Sequence, residues 1–388
     1  MKWERKTINE VCNVGDGAHA SIKRTTEGFQ YLTSKNFKLD GLDLNKVDFI
    51  SEVDYFKHFR DDSKAITKPK SNDVLLSIIG SLGAPYLVKE EDVFGLSSSV
   101  SILRPKNEII EPRFLFYWIK SNEFQSSINN IKSGVAQSFL SLGMIKSLPV
   151  IYPKELPTQR KIASILSAYD DLIENNLKRI KLLEEKAFLR YKLIVREEKM
   201  EKHILSDFGA IITGKTPSTT IADYFGNDVP FIKTPDMHNQ IFIEHTDQML
   251  SDLGAKSQEK KFLPPLSLCV SCIGTAGVVG ITSKPSQTNQ QINSIVFYKP
   301  NNVYFFYAMM SQMKEQLDAL GSNGSTFTNV NKNKFENMEV FIPNQKVLNE
   351  FAEEFEHPFK LILTLQKQNT KLREARDILL PKLMNGQI

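Results

Sequence analysis

This sequence contains little cysteine, and it has neither a long apolar run nor a strong charge imbalance. Its 388 residues include three cysteines, Cys12, Cys269 and Cys272, which excludes a disulfide scaffold and favours a reducing compartment. No apolar stretch reaches the roughly 18 residues that a membrane span needs. The first residues, Met-Lys-Trp-Glu-Arg-Lys, form no apolar signal segment. We therefore expect a cytoplasmic protein that has no membrane partner.

The overall charge is only mildly basic. There are 49 Lys and Arg against 45 Asp and Glu, which gives a net charge of +4. This balance is compatible with nucleic-acid binding but is far below the strongly basic footprint of many DNA-binding domains. The hydrophobic fraction of 41% is ordinary for globular proteins, and the length suggests two or three domains.

Two short motifs suggest active-site chemistry, but both lack the context that it needs. Residues 209–216 match a P-loop, yet Pro217 removes a phosphate-binding N–H and the next residues start a helix poorly. We expect a loop or turn there, with Lys215 free to meet a phosphate. Cys269 and Cys272 form an isolated CxxC, for which buried apolar thiols are the favoured interpretation. The six histidines show no ligand-like spacing. We predict no metal, no cofactor and no catalytic residue.

The chain repeats one plan twice. Matching segments occur in the same order, and their offsets fall from 200 to 189 residues, as loop deletions in the second copy would produce. They are Tyr31-Leu32 with Phe231-Ile232, Ile79-Gly-Ser-Leu-Gly83 with Ile273-Gly-Thr-Ala-Gly277, Phe116-Tyr-Trp118 with Phe306-Tyr-Ala308, and Ile162-Ala163 with Phe351-Ala352. Each copy predicts short strands, an aromatic-rich helix (residues 112–131 or 303–320), a Ser/Gly/Asn loop and a long helix.

The two long helices carry a heptad pattern. In each helix, two interleaved rows of positions recur every seven residues and form one side of the helix, which we call the seam. Of these 20 seam positions, 16 are apolar, with Pro358 included. Only coiled-coil-like packing keeps such a seam in contact with a single partner helix along its length. The simplest partner is the other long helix of the same chain. Asn176 and Asn369 are polar seam positions of the kind that fixes register. The seam residues that we select are Ile162, Leu166, Tyr169, Ile173, Ile180, Leu183, Phe351, Phe355, Ile362, Leu365, Leu372 and Leu379.

Polar loops recur in both copies and contain the side chains that a DNA reader uses. Asn and Gln pair with adenine, Arg and Lys with guanine, and hydroxyls with a base or a phosphate. Solvated loops contain the same residue types, and many of these positions could simply shape turns. The candidate DNA-binding residues are Lys23, Arg24, Ser34, Lys35, Asn36, Ser81, Gln137, Ser138, Lys215, Thr216, Lys233, Thr234, Thr275, Asn289, Gln290, Gln291 and Lys332.

The plan as a whole resembles the specificity subunit of Type I restriction-modification systems. The residues that carry the likeness are the paired glycine motifs at 79–83 and 273–277, Thr288-Asn-Gln-Gln-Ile-Asn293, Pro153 with Pro157-Thr-Gln-Arg-Lys-Ile-Ala163, and Leu372-Arg-Glu-Ala-Arg-Asp-Ile-Leu-Leu-Pro381. Two segments depart from the family pattern. The second helix entry, Pro343-Asn-Gln345, is short, and Leu96-Ser-Ser-Ser99 stands where an Asn-Gln pair is usual.

The resemblance implies an α+β fold with two pseudo-repeated mixed α/β target recognition domains, separated by two long antiparallel coiled-coil-like helices. The expected divisions are recognition domain 1 at 1–152, spacer helix 1 at 153–200, recognition domain 2 at 201–342 and spacer helix 2 at 343–388. The resemblance also implies a non-catalytic role. Such a chain chooses a bipartite, asymmetric double-stranded DNA target and docks two methyltransferase subunits, and separate restriction/motor subunits complete the complex.

Apolar positions outside the seam, Leu172, Leu182, Phe188 and Leu189, could dock these partners or pack against the chain's own domains. Two other functions stay open. One is a coiled-coil scaffold with two protein-binding domains, and the other is an enzyme that uses the loop at 209–216.

Overall fold

The computed structural model describes residues 2–39, 41–133, 139–321 and 328–387. The chain divides into two compact units, and each contains parts of both long helices. The first unit comprises residues 1–171 and 372–388, and the second comprises residues 172–371. None of the helices within the described ranges combines the length and apolarity of a membrane span.

The first unit alternates short strands and helices before the first long helix begins. In chain order its elements are β1 (Trp3–Thr7), α1 (Ile8–Val11), β2 (Cys12–Asp16), β3 (Phe29–Leu32), β4 (Phe37–Lys38), β5 (Gly41–Leu42), β6 (Asp48–Ile50), α2 (Glu52–His58), β7 (Val74–Ser77), β8 (Pro85–Leu87), β9 (Phe94–Leu96), β10 (Val100–Pro105), α3 (Pro112–Lys120), α4 (Asn122–Ser133), α5 (Leu142–Ser147), β11 (Pro149–Pro153) and α6 (Leu156–Glu197).

The second unit repeats most of this order, with several differences in its short elements. They are β12 (Met200–Ile204), β13 (Gly209–Thr213), β14 (Phe225–Gly226), β15 (Val229–Ile232), β16 (Phe242–Ile243), β17 (Met249–Leu250), α7 (Asp252–Lys256), β18 (Leu268–Ser271), β19 (Ile273–Gly274), β20 (Val279–Thr282), β21 (Gln287–Thr288), β22 (Ile292–Phe297), α8 (Val303–Met310), α9 (Lys314–Gly321), β23 (Thr328–Asn329), α10 (Lys332–Glu336), β24 (Glu339–Pro343) and α11 (Gln345–Met384).

The main strand pairings recur in both units. The antiparallel order β2-β10-β7-β8 of the first unit corresponds to β13-β22-β18-β20 of the second. The parallel pair β3 and β9 corresponds to β15 and β21, and the ribbon β1-β11 corresponds to β12-β24. The predicted internal repeat is therefore confirmed.

The central strands are mostly apolar because both of their faces are buried. In β7, Val74 and Leu76 pack in one hydrophobic cluster, and Leu75 packs in another on the opposite face. In β18, Leu268 and Cys269 likewise separate into different clusters. Because apolar cores lie on both faces, three successive apolar residues in each of these strands can all be buried.

The aromatic-rich segments form two helices each, so the prediction of single helices over 112–131 and 303–320 was wrong. In the first unit the chain is extended at Ser121, with φ −67° and ψ 152°, between α3 and α4. The Ser121 hydroxyl then accepts a hydrogen bond from Phe124 N, which caps α4. In the second unit, α8 ends at Met310 and α9 begins at Lys314.

The two long helices contain 42 and 40 residues. Every seam position along them is buried or half-buried. In the first unit, Ile162 and Leu166 near the start of α6 share a core with Leu383 at the end of α11. In the second unit, Ile194 near the end of α6 shares a core with Phe351 near the start of α11. Within each unit the helices therefore run antiparallel, and the predicted fold class is confirmed.

Polar seam positions have polar partners on the other long helix. Within the second unit, Asn176 Nδ2 donates a hydrogen bond of 2.9 Å to Asn369 Oδ1, and both side chains are buried. Within the first unit, Arg376 is an ion-pair partner of Asp170 on α6, with an N–O distance of 2.6 Å. These contacts join specific positions on the two helices and so define their register.

Candidate nucleic-acid interface

The repeated glycine motifs form the same turn in both domains. Gly80 and Gly83 have φ values of +71° and +82°, and Gly274 and Gly277 have +78° and +84°. Glycine tolerates this left-handed backbone because it has no Cβ. Each turn closes through a 2.9 Å hydrogen bond, from Gly83 N to Ser77 O and from Gly277 N to Ser271 O. The turns hold Ser81 and Thr275 on the surface.

A second loop lies beside each glycine turn and is held by equivalent backbone bonds. In the first domain, Ile78 N donates to Ser99 O, and Ser97 N donates to Leu32 O. In the second domain, the corresponding donors are Cys272 N to Gln291 O and Asn289 N to Ile232 O. The three-serine loop at 97–99 therefore occupies the place of Asn289, Gln290 and Gln291.

A third segment, a short 3₁₀ turn after β3 or β15, completes each surface. Asn36 Oδ1 accepts a hydrogen bond from Thr33 N, and Asp236 Oδ2 accepts one from Lys233 N. Asn36 Nδ2 also donates to two backbone carbonyls, so this buried side chain shapes the loop. Ser34 N donates to Ser99 Oγ at 2.9 Å, which joins the turn to the three-serine loop.

Four candidates in the first domain line one open cavity of about 920 Å³. They are Arg24, Ser34, Lys35 and Asn36, and the neighbouring exposed cation is Lys23. Other polar groups of the lining were not predicted from the sequence, and they include Gln30, Asn45, Lys46 and Asp48. Their positions follow from the pairing of β3 with β6, for which the sequence contains no local signal.

In the second domain the candidates gather around the amide loop. Lys215 N donates to Thr288 O, and Thr216 Oγ1 donates to Gln290 Oε1 at 2.6 Å. The ammonium group of Lys233 lies 5.8 Å from the centroid of the Phe231 ring. Thr234 is buried, so its hydroxyl points away from solvent.

The remaining candidates are more loosely connected to these surfaces. Lys332 is the first residue of α10, and its Nζ lies 3.7 Å from Glu336 Oε2. Its segment joins the sheet through a hydrogen bond from Val330 N to Cys272 O. Gln137 and Ser138 lie outside the described residues.

The P-loop-like segment does not cradle a phosphate. Its first five residues form β13, which corrects the expectation of a loop or turn throughout 209–216. The chain then passes through Gly214 and Lys215 toward a 3₁₀ turn at Ala222–Tyr224, instead of entering the helix that a P-loop requires. A Cβ on Gly214 would lie 2.1 Å from Asn289 O, so glycine is needed for close packing.

The CxxC thiols are buried on opposite sides of a sheet, as predicted. Cys269 packs in one cluster and Cys272 in another. Burial raises the pKa of Cys269 to about 12 and that of Cys272 to about 11, which disfavours the thiolate form that binds metals. Among the described residues, no group of three or more His, Cys, Asp or Glu side chains is arranged to hold a metal ion.

The apolar helix positions outside the seam differ in exposure. Leu172, Leu182 and Leu189 are 51%, 64% and 67% exposed. Phe188 stacks on Tyr307 with ring centroids 6.2 Å apart, so it packs against the second domain of its own chain. Three of the four positions thus remain available on the surface of the described chain.

Comparison with known proteins identifies relatives of the whole chain. The family model for the Type I restriction modification DNA specificity domain matches residues 1–185 and again residues 197–371. The HindI specificity subunit of Haemophilus influenzae is 32% identical over 400 aligned positions, which cover 82% of this chain and 87% of that protein. The MjaIX specificity subunit of Methanocaldococcus jannaschii is 26% identical, and the alignment covers 73% of this chain and 70% of that protein.

The same fold occurs in a solved structure. The Type-I restriction-modification system S subunit from M. genitalium superposes with a TM-score of 0.59 at 14% identity. The match covers 98% of this chain and 96% of that one. The architecture is therefore shared across nearly the full length of both chains.

Proposed function

The chain belongs to the family of Type I restriction-modification DNA specificity subunits, and from this membership we propose that it selects a bipartite, asymmetric DNA target. In this proposal the recognition domains at 1–152 and 201–342 each read one half-site. The spacer helices at 153–200 and 343–388 set the unread gap. The chain itself is non-catalytic and acts in the cytoplasm.

One observation carries the asymmetry of the proposed target. Equivalent backbone bonds hold the same three loops in both domains, but the loops present different side chains. Ser98, at the centre of the loop in the first domain, corresponds to the exposed Gln290 in the second. Hydroxyls and amides read different donor and acceptor patterns on base edges. Two surfaces with one scaffold and different side chains are suited to two unlike half-sites.

The exposed leucines on α6 support docking of partner subunits. Leu172, Leu182 and Leu189 leave apolar area in water, and burial of such area stabilises an interface. We assign them to contacts with methyltransferase subunits, two per complex. Restriction/motor subunits complete the assembly. Because the net charge is only +4, counterion release from this chain alone supplies little affinity, and tight DNA binding needs the partners.

Methylome sequencing tests the proposal directly. A host that expresses this chain with its methyltransferase and restriction subunits should gain one methylated bipartite motif, and a host without this chain should not. Mobility shifts with and without methyltransferase subunits, against random-sequence competitor DNA, should show specific binding that depends on the partners. A complete complex that binds without sequence preference and leaves no motif would instead favour a protein scaffold.

A further inference from the structure

The guanidinium group of Arg24 is held in place at the edge of the cavity in the first domain. Its Nε donates to Asp48 Oδ2 at 2.9 Å, and its Nη1 donates to the Ile22 carbonyl at 2.7 Å. Its central carbon lies 4.0 Å from the centroid of the Tyr31 ring. Ion-pair, backbone and cation–π contacts therefore restrain one arginine.

These restraints leave part of the guanidinium for another ligand. Nη2 takes part in neither of the two hydrogen bonds, and the Arg24 side chain is 40% exposed. The ring beneath it is 2% exposed, and burial raises the pKa of the Tyr31 phenol, which therefore stays neutral. An exposed arginine that is fixed before binding loses less conformational entropy when it meets a ligand.

The cavity beside Arg24 suits a base edge and its flanking phosphates. Its volume is about 920 Å³, and Lys35, Asn45 and Lys46 are exposed on its lining. Val47 and Phe49 contribute apolar surface. Lysines act as point charges toward phosphates, whereas arginine presents a planar fork of donors.

We propose that Arg24 reads a guanine of the first half-site, with Asp48 and Tyr31 as positioning residues. Arginine has donors only, and guanine presents two acceptors, O6 and N7, on its major-groove edge. Adenine presents a donor beside N7, so the same fork makes one bond fewer to it. This inference rests on the proposed function, because it requires the first domain to contact duplex DNA.

The second domain has a different cation at the corresponding place. Phe231 occupies the repeat position of Tyr31, and its ring lies beneath Lys233 at 5.8 Å. An ammonium group is a point charge and cannot form the bidentate fork. Reading of guanine by a fixed arginine is thus a property of the first domain.

Methylome sequencing of single variants tests the role of Arg24. In Arg24→Ala and Arg24→Lys, one guanine position of the first half-site should lose its base preference, and methylation of the original motif should fall roughly tenfold to a hundredfold. The second half-site should stay unchanged. In Asp48→Asn the guanine preference should persist but weaken. The matched control is Arg60→Ala, which removes an exposed arginine that pairs with Asp62 in the same domain but does not line the cavity, and it should leave the motif intact.

Substitution in the DNA provides an independent test on the wild-type complex. Replacing the critical guanine by 7-deazaguanine removes the N7 acceptor and should weaken binding at least fivefold for wild type, but much less for Arg24→Lys. A uniform loss at all positions would make Arg24 a phosphate contact and overturn the inference. So would a wild-type first half-site without guanine. If wild type yields no bipartite motif at all, the proposed function itself fails.

Discussion

Two tyrosines at equivalent places in the repeat meet different acids on α6. Tyr117 donates to Asp170, whose other carboxylate oxygen binds Arg376. Tyr307 donates to Glu184, which has no ion-pair partner in the part of the chain that the structure describes. Burial raises the pKa of Glu184, and the nearby Glu185 adds to this effect, whereas the Tyr307 bond lowers the pKa. The first unit thus has a carboxylate that is paired with a cation, whereas the second unit has a buried carboxyl group with a raised pKa.

Glu184→Gln should stabilise the protein at neutral and alkaline pH. Because the native pKa of Glu184 is raised, the unfolded carboxyl ionises first, and native stability falls as pH rises above about 4.3, the usual glutamate value. Glutamine stays neutral and still accepts the Tyr307 bond. Thermal unfolding at pH 5 and pH 8 should therefore show a larger gain in Tm at pH 8.

Asp170→Asn is the matched control for this prediction. It leaves the Arg376 guanidinium, which is 9% exposed, without its ionised partner on α6. The free energy of unfolding should fall by about 2 kcal/mol at both pH values. Equal Tm changes for Glu184→Gln at the two pH values would contradict the role assigned to Glu184.

Residue patterns predicted which side chains are buried better than they predicted contacts between residues that are distant in the sequence. The spacing of Cys269 and Cys272 was sufficient to predict two buried thiols on opposite faces, because a strand alternates its side chains. The partners of Arg24 could not be predicted in this way. Asp48 lies 24 residues further along the chain and reaches Arg24 only after β6 pairs with β3.

At the scale of elements, the long helices were the most predictable part of the fold. A seven-residue apolar period over about 40 residues leaves few alternatives to a helical seam. The breaks between α3 and α4 and between α8 and α9 were missed. Apolar residues continue the helical pattern across each break, and a single capping serine at 121 is a weak stop signal.

Removing one heptad from each long helix should change the gap in the DNA target. Deleting residues 172–178 and 367–373 removes Asn176 together with its partner Asn369. Ile180 then takes the heptad place of Ile173, and Leu379 that of Leu372, so the seam stays continuous. Each helix shortens by about 10 Å. Methylome sequencing should show the same half-sites with a gap shorter by up to about 3 base pairs.

A one-sided deletion is the control for the heptad prediction. Deleting residues 172–178 alone leaves Asn369 buried without Asn176, whose loss costs about 1–3 kcal/mol. It also breaks the correspondence of seam positions between the helices. This variant should lose methylation, whereas the double deletion retains it. An unchanged gap in an active double deletion would show that the helices do not set the spacing.

At the scale of the whole molecule, duplication of one plan explains why function can be modular. The strand pairings and the three surface loops are held mainly by backbone hydrogen bonds, which do not depend on side-chain identity. Side chains at the loop tips can therefore diverge without loss of the scaffold. For the same reason the repeat was visible in the sequence, whereas the role of each loop side chain was not.

Replacing residues 1–150 by the corresponding domain of another family member should therefore change the first half-site only. Some of the contacts to the incoming domain do not depend on its side chains, since Gln159 on α6 accepts from Glu111 N and donates to Ile109 O. A donor domain with a tyrosine at position 117 also keeps the bond to Asp170. Methylation mapping should find the second half-site and the gap unchanged.

The reciprocal exchange of residues 201–342 should alter the second half-site alone. A chimera with both half-sites altered would mean that the two domains read DNA jointly, and the separate loop surfaces would then not be separate readers.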